Sequence, residues 1–192
     1  MALLTSKKVR FNVDEYFRMS EAGVFDGRRV ELLDGRILQM HAQSNPHMAS
    51  VTKTMIALNR FFGDAKQYWL VVQGTYRIEP FDALDPDFAI YDVPVGTPDD
   101  DLPRPFLVIE IAVTSYKRDS GIKLRRYAAA GVRDYWIVHV PQKRVEVYRD
   151  PENPTGRKRD WRYATPNYFG MNDEIRLLAY PQIQLSVRDM MP

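Results

Sequence analysis

Cysteine is absent from this chain, and that removes several chemistries at once. No disulfide framework, thiolate nucleophile or cysteine-ligated zinc site can be built without it. Histidine is nearly as scarce: His41 and His139 show no ligand spacing to any partner, and His47 reads as a surface or helix-capping residue. No apolar run approaches the roughly 20 residues that span a bilayer, so no membrane partner is expected. Internal repeats and low-complexity tracts are missing too, which argues against solenoid architectures. The N-terminal Met1-Ala-Leu-Leu-Thr-Ser-Lys-Lys8 is too short and too polar for a signal peptide, and a cytoplasmic location is the expectation.

What is present fits one globular domain spanning residues 1–192. The hydrophobic fraction is 45% and the charged fraction 27%, enough for a real core. The net charge of +2 conceals an asymmetry: residues 1–100 hold 11 basic and 14 acidic residues, residues 101–192 hold 16 and 11. Most of the excess lies in 117–162, with 13 basic against 6 acidic residues. A basic half beside an acidic pocket suits a polyanion-binding metalloenzyme, and a solvated, charge-mixed surface accounts for it equally well.

Local patterns place the elements. Asn12 with Glu15 three residues on reads as a capping box opening a helix that Gly23 ends. Val30–Met40, broken by Asp34-Gly35, reads as a hairpin with a two-residue turn. Asn45-Pro46 opens a second helix, with Met48, Val51, Met55, Leu58 and Phe62 on one apolar stripe. Strands are expected at 69–72, 75–78, 87–91, 106–112, 134–140 and 144–149, with a Pro- and Asp-rich loop over 94–105. A helix is expected from Arg118 to Ala130, closed by Gly131, with Ile122, Tyr127 and Ala130 inward. The polar stretch 150–162 reads as an exposed excursion, and a last strand pair near 175–178 and 183–185 is expected to complete the sheet, within C-terminal strands at about 160–187. Helices interleaved with strands argue a mixed α/β (α+β) domain, a central mixed sheet flanked by helices.

Two acids stand out because each sits on an otherwise apolar strand: Asp87, after Pro86 and before Phe-Ala-Ile-Tyr, and Glu110, after Phe-Leu-Val-Ile. Burying a carboxylate there costs several kcal/mol without compensation, so either a salt bridge or a shared divalent metal is required. Two neighbouring acids favour the metal, because the ion reverses their mutual repulsion. Glu31 is a third candidate, although its alternation with Val30 and Leu32 reads equally as an outward residue. Gln73, between two strands, either carries a metal-bound water or satisfies a strand end. Asp119, Lys123 and Tyr127 follow at four-residue steps and share a helical face. Either Asp119 and Lys123 form a solvated pair, or that face looks at the carboxylates and Lys123 meets a phosphate. Arg125 and Arg126 lie off it, free to touch backbone phosphates.

This ordered set resembles the PD-(D/E)XK nuclease superfamily, and within it the bacterial Uma-type branch of restriction-endonuclease-like proteins. The likeness runs from Val30-Glu-Leu-Leu-Asp-Gly through Pro86-Asp87 and Val108-Ile-Glu110 to Asp119, Lys123, Tyr127 and Gly131-Val-Arg-Asp-Tyr-Trp-Ile-Val. It spans a core of about 12–150. It implies a restriction-endonuclease-like fold in which Asp87, Glu110 and Glu31 match the metal-binding acids and Gln73 a polar residue ahead of the Pro-Asp motif. The superfamily's lysine usually stands two residues after the second acid, where this chain has Ala112, so Lys123 on the following helix is the implied substitute. The resemblance implies an Mg²⁺-dependent endonuclease acting on DNA, with Mn²⁺ as a substitute ion. Cutting both strands calls for two active sites, hence a homodimer. The alternative is a nuclease-fold protein that has lost turnover and binds nucleic acid or regulates a partner.

Overall fold

The structure, a computed structural model, describes residues 8–63, 66–98 and 102–192, without the side chain of Lys158. Most of the N-terminal stretch read above and the centre of the 94–105 loop therefore lie outside the described residues. In chain order the strands are β1 (Val30–Leu33), β2 (Arg36–Gln39), β3 (Trp69–Val72), β4 (Tyr76–Ile78), β5 (Asp82–Leu84) and β6 (Phe88–Tyr91). They continue with β7 (Leu107–Ala112), β8 (Asp134–His139), β9 (Arg144–Arg149), β10 (Asn167–Gly170), β11 (Glu174–Arg176) and β12 (Gln184–Ser186). The helices are α1 (Val13–Glu21), α2 (Asn45–Phe62), α3 (Tyr116–Arg118) and α4 (Leu124–Ala129), with a π-helical turn, Asp119–Lys123, joining the last two. Two compact units result: Met1–Ala42 with Thr75–Asp85, and Gln43–Gly74 with Pro86–Pro192.

The first unit is an antiparallel sheet in the order β2-β1-β5-β4 with α1 beside it. The capping box forms: Glu15 N–H donates to Asn12 Oδ1 and Asn12 N–H to Glu15 Oε2, both at 2.8 Å. Two otherwise orphaned donors of the helix start are thereby satisfied. Val13, Tyr16, Phe25, Leu32 and Ala83 make its core. The β1–β2 turn needs two consecutive left-handed residues, and Asp34 (φ 53) and Gly35 (φ 72) supply them. Strand β5 was not expected; it is three residues long, and its Asp82 carboxylate accepts the Asp34 N–H at 2.7 Å.

The second unit is a six-stranded mixed sheet in the order β10-β9-β8-β7-β6-β3, antiparallel throughout except for the parallel pair β7–β8. One face is apolar. Ile109, Ile111, Trp136 and Val138 meet Leu58 and Phe62 of α2 and Ile175, Leu185 and Met190 of the C-terminal segment. The stripe on α2 is as expected except for Met48, which is 45% exposed near the helix start. A parallel pair requires a crossover connection, and here it is the helical run from Tyr116 to Ala129. That run begins earlier than expected, and a π turn interrupts it. The last strand pair does not complete the main sheet: β11 and β12 form their own two-stranded sheet, and the sixth strand is β10. Among the described residues, no helix is long and apolar enough to cross a membrane.

Replacing Asn12 by Ala should lower the free energy of unfolding by about 1 kcal/mol, measured by urea titration. Adding Glu15→Ala should cost less than the sum of the two single changes, because the two bonds act as one cap.

Candidate active site

The sheet register lines up the acids. Phe88 pairs with Ile109, and one residue further along that ladder Asp87 stands opposite Glu110. Val72 pairs with Phe88, and the same step sets Gln73 opposite Asp87, where Gln73 N–H donates to the Asp87 carbonyl at 3.1 Å. Residues opposite one another on neighbouring strands project from the same face, about 4.8 Å apart per strand. Gln73, Asp87 and Glu110 thus form a row on the face turned away from the apolar core.

Both acids are nearly out of water, Asp87 at 7% and Glu110 at 4% exposure. Asp87 is held at both oxygens. Its Oδ2 accepts the Ile111 N–H at 2.8 Å and lies 3.2 Å from His47 Nε2, and its Oδ1 accepts from Gln73 Nε2 at 3.1 Å. Gln73 reaches this position with φ +53, a left-handed conformation uncommon outside glycine. Glu110 Oε1 accepts from Lys123 Nζ at 3.0 Å and from Tyr127 OH at 2.8 Å.

The crossover run brings those partners. Leu124 N–H reaches back to the Asp119 carbonyl, five residues away, and that wider turn leaves Asp119 and Lys123 each 1% exposed and Tyr127 fully buried. Tyr135 OH fixes the turn from beneath, donating to the same carbonyl at 3.0 Å. Burial raises the Asp119 carboxyl above its ordinary value and Asp87 adds to the rise, while Lys123, the Ser115 hydroxyl and Arg118 pull it down. Tyr135 is likewise pushed well above the ordinary phenol value, by burial first and then by Glu110 and Asp119.

Of the residues singled out in the sequence, Gln73, Asp87, Glu110, Asp119, Lys123 and Tyr127 all belong to the second unit. Arg125 is exposed on α4 and Arg126 half-buried. Glu31 belongs to the first unit, and the reading that it points outward is corrected: it is wholly buried, like its neighbour Leu32. Sequence reasoning missed His47. Forty residues separate it from Asp87, and no spacing rule links a first-turn histidine to a distant strand end.

The donor set fits a hard, hydrated cation. Mg²⁺ commonly keeps several waters and is held by one or two carboxylates together with substrate phosphate oxygens. Asp87 and Glu110 supply two such carboxylates. Among the described residues, no group of three or more His, Asp or Glu is assembled into a closed metal cage.

A central mixed sheet with a single parallel pair, flanked by helices, is the restriction-endonuclease-like architecture. A solved structure described as "a putative nuclease belonging to DUF820", from Anabaena variabilis, shares this fold with a TM-score of 0.68 at 13% identity. The match covers 94% of this chain and 97% of that one. The family model Uma2, described as "Putative restriction endonuclease", matches residues 13–188, and the chain belongs to that family. No curated protein matches it.

The Lys123–Glu110 pair is buried on both sides, so removing one partner strands a charge. Lys123→Met should destabilise the protein by about 3–5 kcal/mol in urea unfolding, and adding Glu110→Gln should recover most of that loss. A Lys123→Met protein as stable as the wild type would mean that this ion pair does not compensate Glu110.

Proposed function

We propose that this protein is a metal-dependent endonuclease that hydrolyses DNA phosphodiester bonds, with Asp87 and Glu110 holding Mg²⁺, or Mn²⁺ in its place. The observation that carries the reading is the pair of buried acids on adjacent strands with the Lys123 ammonium 3.0 Å from one of them. A divalent ion held there would acidify a water and neutralise the anionic phosphate, the two barriers to this reaction.

The chain's own residues prepare the site. Gln73, His47 and the Ile111 N–H fix the Asp87 carboxylate, so its orientation is set before substrate arrives. Tyr127 fixes Glu110 in the same way. Lys123 brings a positive charge to where negative charge grows on the phosphoryl oxygens, and its burial strengthens that interaction relative to water. Asp119, on the same turn as Lys123 and equally buried, helps to position the ammonium. Arg125 and Arg126, with the basic excess of 117–162, take the backbone phosphates of the DNA. The enzyme acts as a homodimer and works in the cytoplasm.

Supercoiled plasmid should be nicked in Mg²⁺ or Mn²⁺ and left intact in chelator. Asp87→Asn and Glu110→Gln should each slow nicking at least ~10²-fold. Plasmid that stays supercoiled with either ion, while the protein still binds it, would overturn the enzyme reading in favour of a nuclease fold that only binds DNA. Binding should also weaken with salt, by about 0.9 in the slope of log affinity for each phosphate contacted on duplex DNA.

A further inference from the structure

The polar face of the six-stranded sheet does not end at Glu110. Glu110 pairs with Ile137, Ile137 with Glu146, and Glu146 with Tyr168, so one row crosses β7, β8, β9 and β10 with its side chains on the same face. At the end of that row Tyr168 is 57% exposed on the edge strand. The Arg144 guanidinium lies 4.7 Å from its ring centroid. Arg144 is itself immobilised: its Nε and Nη2 donate to Glu146 Oε1 at 3.0 and 2.7 Å. Glu146 is wholly buried and also accepts from Tyr148 OH at 2.6 Å and, at each oxygen, from Tyr116 OH at 3.2 Å. The Tyr116 ring in turn lies flat on His139, with centroids 4.1 Å apart and planes 7° from parallel.

Neutralising a buried glutamate accounts for Arg144, Tyr116 and Tyr148. It does not account for an aromatic ring laid over the guanidinium and left more than half in solvent. A rigid cation beneath a ring, with the ring's outer side open, is a ready surface for another flat π-system.

We propose that Tyr168, backed by Arg144, is a stacking platform for an unpaired base of the DNA strand that enters the Asp87–Glu110 site, so that the substrate is single-stranded or locally unwound DNA. This rests on the nuclease reading above and supplies its substrate form. Three strand spacings separate Tyr168 from Glu110, ~14 Å, within reach of one strand that passes over the crossover covering Ile137 and Glu146 between them. Lys143, next to Arg144 in the chain, and Lys117, next to Tyr116, are both exposed and add positive charge for its phosphates. Stacking on such rings is tolerant of sequence, since every base has a π-face, whereas the bases of an intact duplex are already stacked on one another.

The test uses the full chain in chelator, with a fluorescein-labelled oligothymidylate of about 15 nucleotides and a hairpin duplex of matched charge, read by anisotropy. Tyr168→Ala should weaken oligothymidylate binding about 5- to 100-fold, the range for losing one base–aromatic stack, while duplex binding stays unchanged. Tyr168→Phe keeps the ring and should bind as the wild type does, and circular dichroism checks that each variant is folded. Oligothymidylate binding that survives Tyr168→Ala, or a loss shared equally by both probes, would overturn the platform. Because no metal is present, the outcome is independent of turnover. A protein that never nicks plasmid can still show the Tyr168-dependent preference, and one that nicks without it keeps the nuclease reading and loses this one.

Discussion

Two carboxylates placed side by side out of water are the constraint around which the second unit is built. Either acid alone would cost several kcal/mol to bury, and the pair adds mutual repulsion. The surrounding groups answer that cost one bond at a time. A backbone N–H, an amide and an imidazole turn toward Asp87, and an ammonium and a phenol toward Glu110. The alternation of β7 makes this compatible with a core: Ile109 and Ile111 face the apolar layer while Glu110, between them, faces the other way. A strand wholly buried on both faces can carry such an acid only if the covering layer brings donors.

That covering layer follows from topology. The parallel pair β7–β8 forces a crossover, and the crossover must lie on one face of the sheet. Here it lies on the polar face, so its inward residues become partners of the acids rather than members of the apolar core. The π turn sets which residues those are. By widening one turn it seats Asp119 and Lys123 inward together, with Tyr127 in line behind them. Turns of this kind recur at functional sites. Below them a layer of tyrosines continues the polar face: the Tyr127 and Tyr135 centroids are 4.9 Å apart, and Tyr135 is 5.9 Å from Tyr148. Tyr127 reaches Glu110 and Tyr148 reaches Glu146, so two buried glutamates two strands apart are fixed by one aromatic layer.

Much of this was legible in the chain because it is local. The Asn12–Glu15 cap, the Asp34-Gly35 turn and the α2 stripe are short-range patterns, and each forms where its residues stand. The acids were visible because a charged residue inside an apolar run has few explanations. What could not be read is non-local or short. Strand β10, Asn167-Tyr-Phe-Gly, is an edge strand that pairs with β9 only after the long excursion that follows Arg149, and its burial shows no alternation. Strand β5 has three residues, too few for any period to show. Glu31 looked outward because alternation assumes one wet face, and β1 has none over Glu31–Leu33. The π turn breaks the four-residue rule that grouped Asp119, Lys123 and Tyr127, yet all three remain inward because the added residue is absorbed within the turn, with Gly121, a weak helix former, at its centre.

The lysine's origin changes what controls it. A lysine two residues beyond Glu110 on the same strand would be placed by sheet register, which the ladder with β8 fixes rigidly. In this chain that position is Ala112, wholly buried beside His139, and the ammonium arrives instead from a helical turn. Its location therefore depends on the geometry of that turn. Tyr135 OH on the Asp119 carbonyl and the hydroxyl of Ser115 on the Asp119 carboxylate both hold it. A site built on strands alone would owe its precision to backbone hydrogen bonds. This one owes the placement of its cation to a few buried side chains, and so couples the electrostatics of Glu110 directly to the packing beneath the crossover.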